Sequence, residues 1–302
     1  MKTPAVSIGI PTYEAGISLI RTLNSIFNQS AFSQIREVII VVDGNTLTPQ
    51  VRNRLRHPKV RIVMRPERMG QSSCLNYIFS RVHNGLLLLT NDDVVLDKHA
   101  TKNFIECYIA QRPDFLAAQA KPLPPKSLFE RILFAGQTIN TRIASRWLNG
   151  DNYLSVNGRM IALSRRLYSN ISIPPGLWNN DAYIYLYAKL KNLGFINVNN
   201  ARVYYKLPGN VADHLRQSYK FHLSQRENEI YFHDSLTRFY KIPVSLSIKA
   251  MIHTLFDQPV FTPLYIVFSA LTRIWLTISH QSLPNTGYWN TDRSTKLLGG
   301  KL

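Results

Sequence analysis

The sequence predicts an α/β protein built on a mostly parallel sheet flanked by helices, and two observations carry that prediction. Short β-rich runs at residues 6–11, 38–43, 60–65, 85–90 and 115–121 alternate with longer segments at 17–29, 48–56, 71–82 and 98–111. Apolar residues in the longer segments recur every three or four positions, the period of a helix that buries one face. Strand, helix and strand in this rhythm give a parallel sheet covered on both sides, which binds ligands at the carboxyl ends of its strands.

The second half continues less regularly. A proline-rich turn at 121–126 precedes a long helix at 127–148, a strand at 156–163, a helix at 179–193 and short strands at 195–198 and 201–205. A polar helix at 213–233 follows, then two apolar helical segments at 244–256 and 262–278, and a tail at 281–302 that reads as loosely structured. There is no internal repeat. The pattern divides the chain into residues 1–235, with halves at 1–120 and 121–235, and a C-terminal helical region at 236–302.

A chain of 302 residues with 45% hydrophobic composition buries a substantial core, which excludes disordered and fibrous classes. Its formal charge of +18 favours anionic partners. Nucleic acid is not among those expected: the Lys and Arg residues are spread along the chain, and no helix-turn-helix, zinc-finger or RNA-binding signature occurs. Cys74 and Cys107, the only cysteines, stand in apolar helical patterns without a CxxC pair and read as buried fillers. The first eleven residues lack a basic segment followed by a long apolar one, so the expected location is the cytoplasm. The longest uncharged apolar stretch, 258–272, is broken by Pro259 and Pro263 and is short for a membrane span.

Polar and acidic residues collect where the early strands end. Pro11, Thr12, Tyr13 and Glu14 follow the first strand, Asp43 and Gly44 the second, and Asn91, Asp92 and Asp93 the fourth. Each has a plain alternative, since Asp-Gly is a common turn pair and Asp93 suits a helix cap. Their coincidence along one sheet edge points instead to a site. The run of leucines at 86–89 delivers two carboxylates where a buried strand surfaces, a suitable place for Mg²⁺ or Mn²⁺ to hold a substrate diphosphate.

These residues, in this order, resemble the family 2 glycosyltransferases, inverting enzymes of GT-A fold, from about residue 5 to 225. The resemblance rests on Val-Ser-Ile-Gly-Ile-Pro-Thr-Tyr-Glu at 6–14, Val-Val-Asp-Gly at 41–44, Arg-Met-Gly-Gln at 68–71 leading to Leu75-Asn76, and Thr-Asn-Asp-Asp-Val at 90–94. It implies a nucleotide-sugar donor, with UDP the default, whose base and ribose meet Thr12, Glu14 and Asp43 within a pocket that includes Pro11, Tyr13, Gly70, Asn76 and Asn91. The family's Asp-x-Asp metal motif reads Asn91-Asp92-Asp93 here, which makes Asp93 and Asp92 the expected ligands of a divalent metal. His214 is a further metal candidate, with a structural role as its alternative. The segment at 156–162, with Arg165-Arg166, resembles the stretch beside the sugar, and Asp181 in Asn-Asn-Asp at 179–181 falls where the family has its catalytic base. Gln-Ser-Tyr-Lys-Phe at 217–221 resembles Gln-x-x-Arg-Trp, so Gln217 and Lys220 are expected near the diphosphate. Replacement of Arg and Trp in that motif, which is frequent in processive synthases, favours single additions.

The resemblance makes 1–120 the donor half and 121–235 the acceptor half of a catalytic domain. The acceptor is expected to be a saccharide or lipid-linked saccharide in polysaccharide or glycoconjugate synthesis. The helices at 244–256 and 262–278 carry aromatic and aliphatic residues with Lys249, His253 and Arg273 interspersed, and suit an anionic membrane surface or simple packing on the domain. The first strand turn, Pro-Thr-Tyr-Glu-Ala-Gly at 11–16, is neither the Gly-rich basic loop of a nucleotidyltransferase nor the GxGxxG of a nicotinamide enzyme. From another class, Asn91, Lys220 and Phe221 leave open a catalytically inactive sugar-nucleotide-binding or membrane-recruitment module.

Overall fold

The computed structural model describes residues 4–232, 236–278 and 293–296. The first half supplies β1 (Val6–Thr12), β2 (Ile35–Val42), β3 (Val60–Met64), β4 (Leu86–Thr90) and β5 (Val94–Leu96). β6 (Phe115–Pro122) ends at the boundary between the halves, and the second half supplies β7 (Met160–Leu163) and β8 (Phe195–Tyr205). All eight form one sheet in the order β3-β2-β1-β4-β7-β6-β8-β5. The pairs among β1 to β4 are parallel, as is β6 with β8. β7 runs antiparallel between β4 and β6, and β5 runs antiparallel on β8.

Helices α1 (Ile17–Phe27), α2 (Pro49–Arg54), α3 (Gln71–Arg81) and α4 (Ala100–Gln111) link the early strands. Alternating strand side chains feed two cores, one on each face of the sheet. Ile8, Ile10 and Ile40 cluster with Leu19 and Leu23 of α1 and Phe104 of α4. Ile39, Val41 and Leu89 cluster with Leu75 and Ile78 of α3 on the other face. The predicted mostly parallel sheet flanked by helices is therefore the observed architecture.

Two strand details differ from expectation. The predicted short strands near 195–205 are one strand, because its register against β6 jumps from Val198 to Arg202 while β6 advances from Ala118 to Gln119. The bulge places Asn199 and Asn200 in solvent and returns Ala201 to the core. β5, absent from the predicted strands, is three residues long and owes its place to α1. Val94 N–H donates to Thr22 Oγ1 at 3.2 Å, Thr22 Oγ1 donates to Val94 O at 2.7 Å, and Leu96 N–H donates to Ser25 Oγ at 3.0 Å.

The remaining helices are α5 (Leu128–Arg146), α6 (Arg165–Tyr168), α7 (Asn180–Leu190), α8 (Val211–Phe232), α9 (Thr237–Tyr240), α10 (Val244–Asp257), α11 (Phe261–Ile278) and α12 (Arg293–Lys296). Both α10 and α11 pack on α5, where Ala250 meets Ile139 and Ile143. A Cβ on Gly136 of α5 would lie 2.0 Å from the Tyr265 ring of α11, so glycine is what permits this approach. Most of the tail expected to be loose lies outside the described residues, but residues 293–296 form a helical turn against the body.

Thr22 is fully buried, and its hydroxyl satisfies both backbone groups of Val94 just beyond the Asp92–Asp93 pair. Thr22→Val leaves those groups unpaired and is expected to cost about 1–3 kcal/mol. In urea unfolding, a midpoint equal to wild type would refute that role for the hydroxyl.

Candidate active site

The strand ends converge on one cleft of about 210 Å³. At its centre lies the end of β4, whose leucines are buried and whose chain surfaces at Asn91, Asp92 and Asp93. Asp92 is buried and fully engaged: Thr12 Oγ1 donates to its Oδ2 at 2.5 Å, and Lys296 Nζ donates to Oδ1 and Oδ2 at 2.5 and 2.6 Å. Asp93 faces the Thr295 hydroxyl at 3.5 Å. Burial, then the charge of Asp92, raises the Asp93 carboxyl above the usual range, against the pull of Lys296 and Arg159.

Asp181, in the first turn of α7, lines the same cleft. Asn179 caps this helix by accepting from Ala182 N–H, and Trp178 and Asn179 N–H donate to the buried Glu227 of α8 at 2.8 and 3.3 Å. Asn180 is tied to the start of α3, accepting from Ser72 Oγ and donating to Gln71 Oε1. The turn is thus clamped from two sides. Burial raises the Asp181 carboxyl, while Lys220 and Arg159 pull it down. Gly158 supplies the room: with φ at +62°, its missing Cβ would lie 2.0 Å from Asp181 Oδ2.

Positive charge surrounds these acids. The Arg159 guanidinium stacks 3.6 Å from the Tyr205 ring centroid, and the Arg159 carbonyl accepts from Thr90 Oγ1 at 2.7 Å. Arg68 lies 3.8 Å over the Tyr13 ring. Lys206, and Lys220 with Gln217 and Phe221 from α8, complete the cationic wall. Such a set suits a diphosphate.

Of the residues expected from sequence, Pro11, Thr12, Tyr13, Asp43 and Gly70 line the cleft, as do Asn91, Asp92, Asp93, Asp181, Gln217 and Lys220. Asp43 is buried and spends its carboxylate on the Met69 and Gly70 N–H groups at 2.9 and 2.8 Å, which sets the loop before α3. Glu14 is outside the lining, close enough for its charge to act on Lys296. Asn76 departs from expectation: its amide clasps Ile173 N–H and C=O at 2.9 and 2.8 Å, away from the cleft wall. His214 departs too. Its ring packs against Phe129 and Phe268 and bonds Ser218, and burial pushes it down to about 4, so it is a neutral packing residue and not a partner of Asp92 and Asp93. Arg165 and Arg166 reach Asn84 and Asp114, away from the cleft. Cys74 is buried at the cleft, where burial and then Asp43 push its thiol up to about 12. Sequence reasoning missed Arg159 and Lys296 as site residues. Arg159 directly follows the glycine of its segment, a signal that was present, whereas Lys296 stands in a tail with no pattern.

Among the described residues no three His, Cys, Asp or Glu side chains gather to hold a metal. The residues still fit a divalent cation. Asp92 and Asp93 offer hard oxygen donors side by side, Asn91 adds a carbonyl, and a cation of the chain itself rests on Asp92. Mg²⁺-type sites commonly take one or two carboxylates, with substrate phosphate and water as the other ligands.

Residues 7–131 match the family model described as Glycosyl transferase family 2. The fold is shared with the mannosyltransferase PcManGT from Pyrobaculum calidifontis, a structure in complex with GDP-Man and Mn²⁺, at 16% identity and a TM-score of 0.55 over 92% of this chain and 84% of that one. It is shared also with S. aureus TarS 1-349, at 17% identity and a TM-score of 0.53 over 86% and 82%. The same TarS fragment in complex with UDP-GlcNAc aligns at 16% identity and a TM-score of 0.51 over 83% and 80%. No curated protein matches the sequence. The fold is thereby defined as the GT-A fold that these structures share. Within that fold, the stretch similar to glycosyl transferase family 2 runs from residue 7 to residue 131.

Gly158→Ala pushes a methyl group into the Asp181 carboxylate and strains a left-handed backbone. Turnover is expected to fall about 10²-fold or more, as for a displaced catalytic group, with nucleotide affinity within about threefold of wild type. Steady-state kinetics beside calorimetric nucleotide binding checks this, and unchanged turnover would refute it.

Proposed function

We propose that the chain transfers a sugar, with inversion, from a nucleotide-sugar donor to a saccharide or lipid-linked acceptor. The observation that carries the reading is that the Asp181 carboxylate lines one cleft with Asp92 and Asp93, with Arg159 close enough for its charge to act on both Asp93 and Asp181. The donors named for the structural relatives, GDP-Man and UDP-GlcNAc, support the substrate class. UDP is the default nucleotide. Residues 1–120 hold the donor, 121–235 the acceptor, and 236–302 form an appended helical region.

Arg68, Arg159, Lys206 and Lys220 draw the diphosphate into the cleft. Asp92 and Asp93 would hold a divalent cation, Mg²⁺ or Mn²⁺, which would supply positive charge to the diphosphate leaving group. Asp181 accepts the proton of the acceptor hydroxyl as its oxygen bonds to the anomeric carbon. The bond from that carbon to the diphosphate breaks on the opposite side, and its electron pair leaves with the nucleoside diphosphate. The raised pKa of Asp181 makes its carboxylate a better base than a solvated aspartate. The altered Gln-x-x-Arg-Trp stretch, with Lys220 and Phe221, supports single additions.

The test is nucleotide release from a panel of nucleotide sugars with Mn²⁺, with Mg²⁺ and with chelator. Release of one nucleotide is expected to need metal, to disappear in Asp93→Ala, and to fall about 10²–10⁴-fold in Asp181→Asn with donor affinity retained. Donor binding without turnover in the wild type, with acceptor lipids supplied, would move the assignment to an inactive recruitment module.

The enzyme works from the cytoplasmic face of a membrane in this reading. α11 is long and apolar enough to cross a bilayer by length and composition, yet it packs on α5 along one side only. Its outer residues, such as Leu264, Leu271 and Ile278, are exposed, as are Ile248, Ile252 and Phe256 of α10. A stripe at helical spacing on each helix, beside a chain of charge +18, suits an anionic lipid surface. Co-sedimentation with phosphatidylglycerol vesicles is expected and should weaken at least fivefold in Ile252→Glu with Ile274→Glu. Equal binding of the variant would refute the helical face as the contact.

A further inference from the structure

Thr295 and Lys296 line the donor cleft, about 200 residues along the chain from the strand ends that build it. The contact has two parts. Lys296 grips both oxygens of Asp92 at 2.5 and 2.6 Å, with Thr295 buried beside Asp93. Outside the acid pair, Ser294 anchors the turn: its N–H donates to Asp213 Oδ2 at 3.1 Å, its hydroxyl donates to the same oxygen, and it accepts from Gly209 N–H at 3.1 Å. Asp213 opens α8, the helix that brings Gln217 and Lys220 to the cleft.

The Lys296 ammonium on both oxygens of Asp92, with the Thr12 hydroxyl on one of them, takes three of about four lone-pair positions and sets a positive charge where a second cation would sit. With the segment seated, the cleft measures about 210 Å³, below the roughly 300–1,000 Å³ of ordinary ligand pockets. We propose that residues 294–296 form a strap that occupies the cation position of the donor site, so that Lys296 and the divalent metal compete for Asp92 and the strap must lift for metal and donor to enter. This rests on the reading of Asp92 and Asp93 as the metal-holding pair. The strap lowers apparent metal affinity by the fraction of time it is closed: closure for nine-tenths of the time weakens binding about tenfold.

The test measures Mn²⁺ binding to the full chain through the electron paramagnetic resonance of free Mn²⁺, and hydrogen exchange of the peptide spanning residues 294–296. Lys296→Ala is expected to bind Mn²⁺ about tenfold tighter. Ser294→Ala, which touches only the anchor, is expected to shift affinity in the same direction by a smaller factor. In the wild type, Mn²⁺ with UDP is expected to speed exchange of the strap peptide. Mn²⁺ affinity unchanged or weakened in Lys296→Ala, with Mn²⁺ bound by the wild type, would overturn the strap alone. Failure of every form to bind Mn²⁺ would overturn the strap and the metal assignment together.

Discussion

Two adjacent carboxylates at the end of a buried strand set the terms for the rest of this molecule. Asp92 and Asp93 stand where the leucine run of β4 leaves the core, with apolar residues behind them and the cleft in front. Like charges so placed repel, and burial penalises each of them, so the fold is obliged to surround them with donors and cations. Thr12 from β1, Arg159 from the turn before β7 and Lys296 from the C-terminal turn meet that need from three separate parts of the chain. The same arrangement that answers the electrostatic demand lines the cleft with positive charge.

The antiparallel strand β7 is what joins the two halves. By pairing with β4 on one side and β6 on the other, it carries Gly158 and Arg159 to the edge of the β4 terminus. Asp181 is then fixed by contacts to both halves, through Asn180 to α3 and through Asn179 to α8. Its position relative to the Asp92–Asp93 pair is therefore set by the packed sheet and helices rather than by a loose loop.

Much of this was legible in the sequence because its causes are local. A run such as Leu-Leu-Leu-Leu-Thr-Asn-Asp-Asp at 86–93 announces both a buried strand and the place where it meets water. The helix at 71–81 and the acidic opening of the helix at 180–190 were readable from period and capping residues. What escaped was set by distant contacts. β5 has three residues and depends on hydroxyls from α1, so no window along the chain marks it. Asn76 looked like a donor contact until its partner, Ile173, was seen 97 positions away. His214 carries the same side chain whether it binds a metal or packs between phenylalanines, and only the neighbours decide. Lys296 was unreadable for the same reason, since its partner lies 204 residues earlier.

The hydroxyl contacts of Thr22 and Ser25 bear on more than the site. β5 is a terminal strand of the sheet, and a terminal strand normally offers unpaired amides to any extended chain nearby. Here two of those amides, Val94 and Leu96, are already taken by side chains of α1, and a helix lies over the edge. Those two amides offer a neighbouring chain nothing to pair with on β5, whereas at the opposite end of the sheet β3 presents the exposed Arg61, whose charge repels a second copy of the same edge.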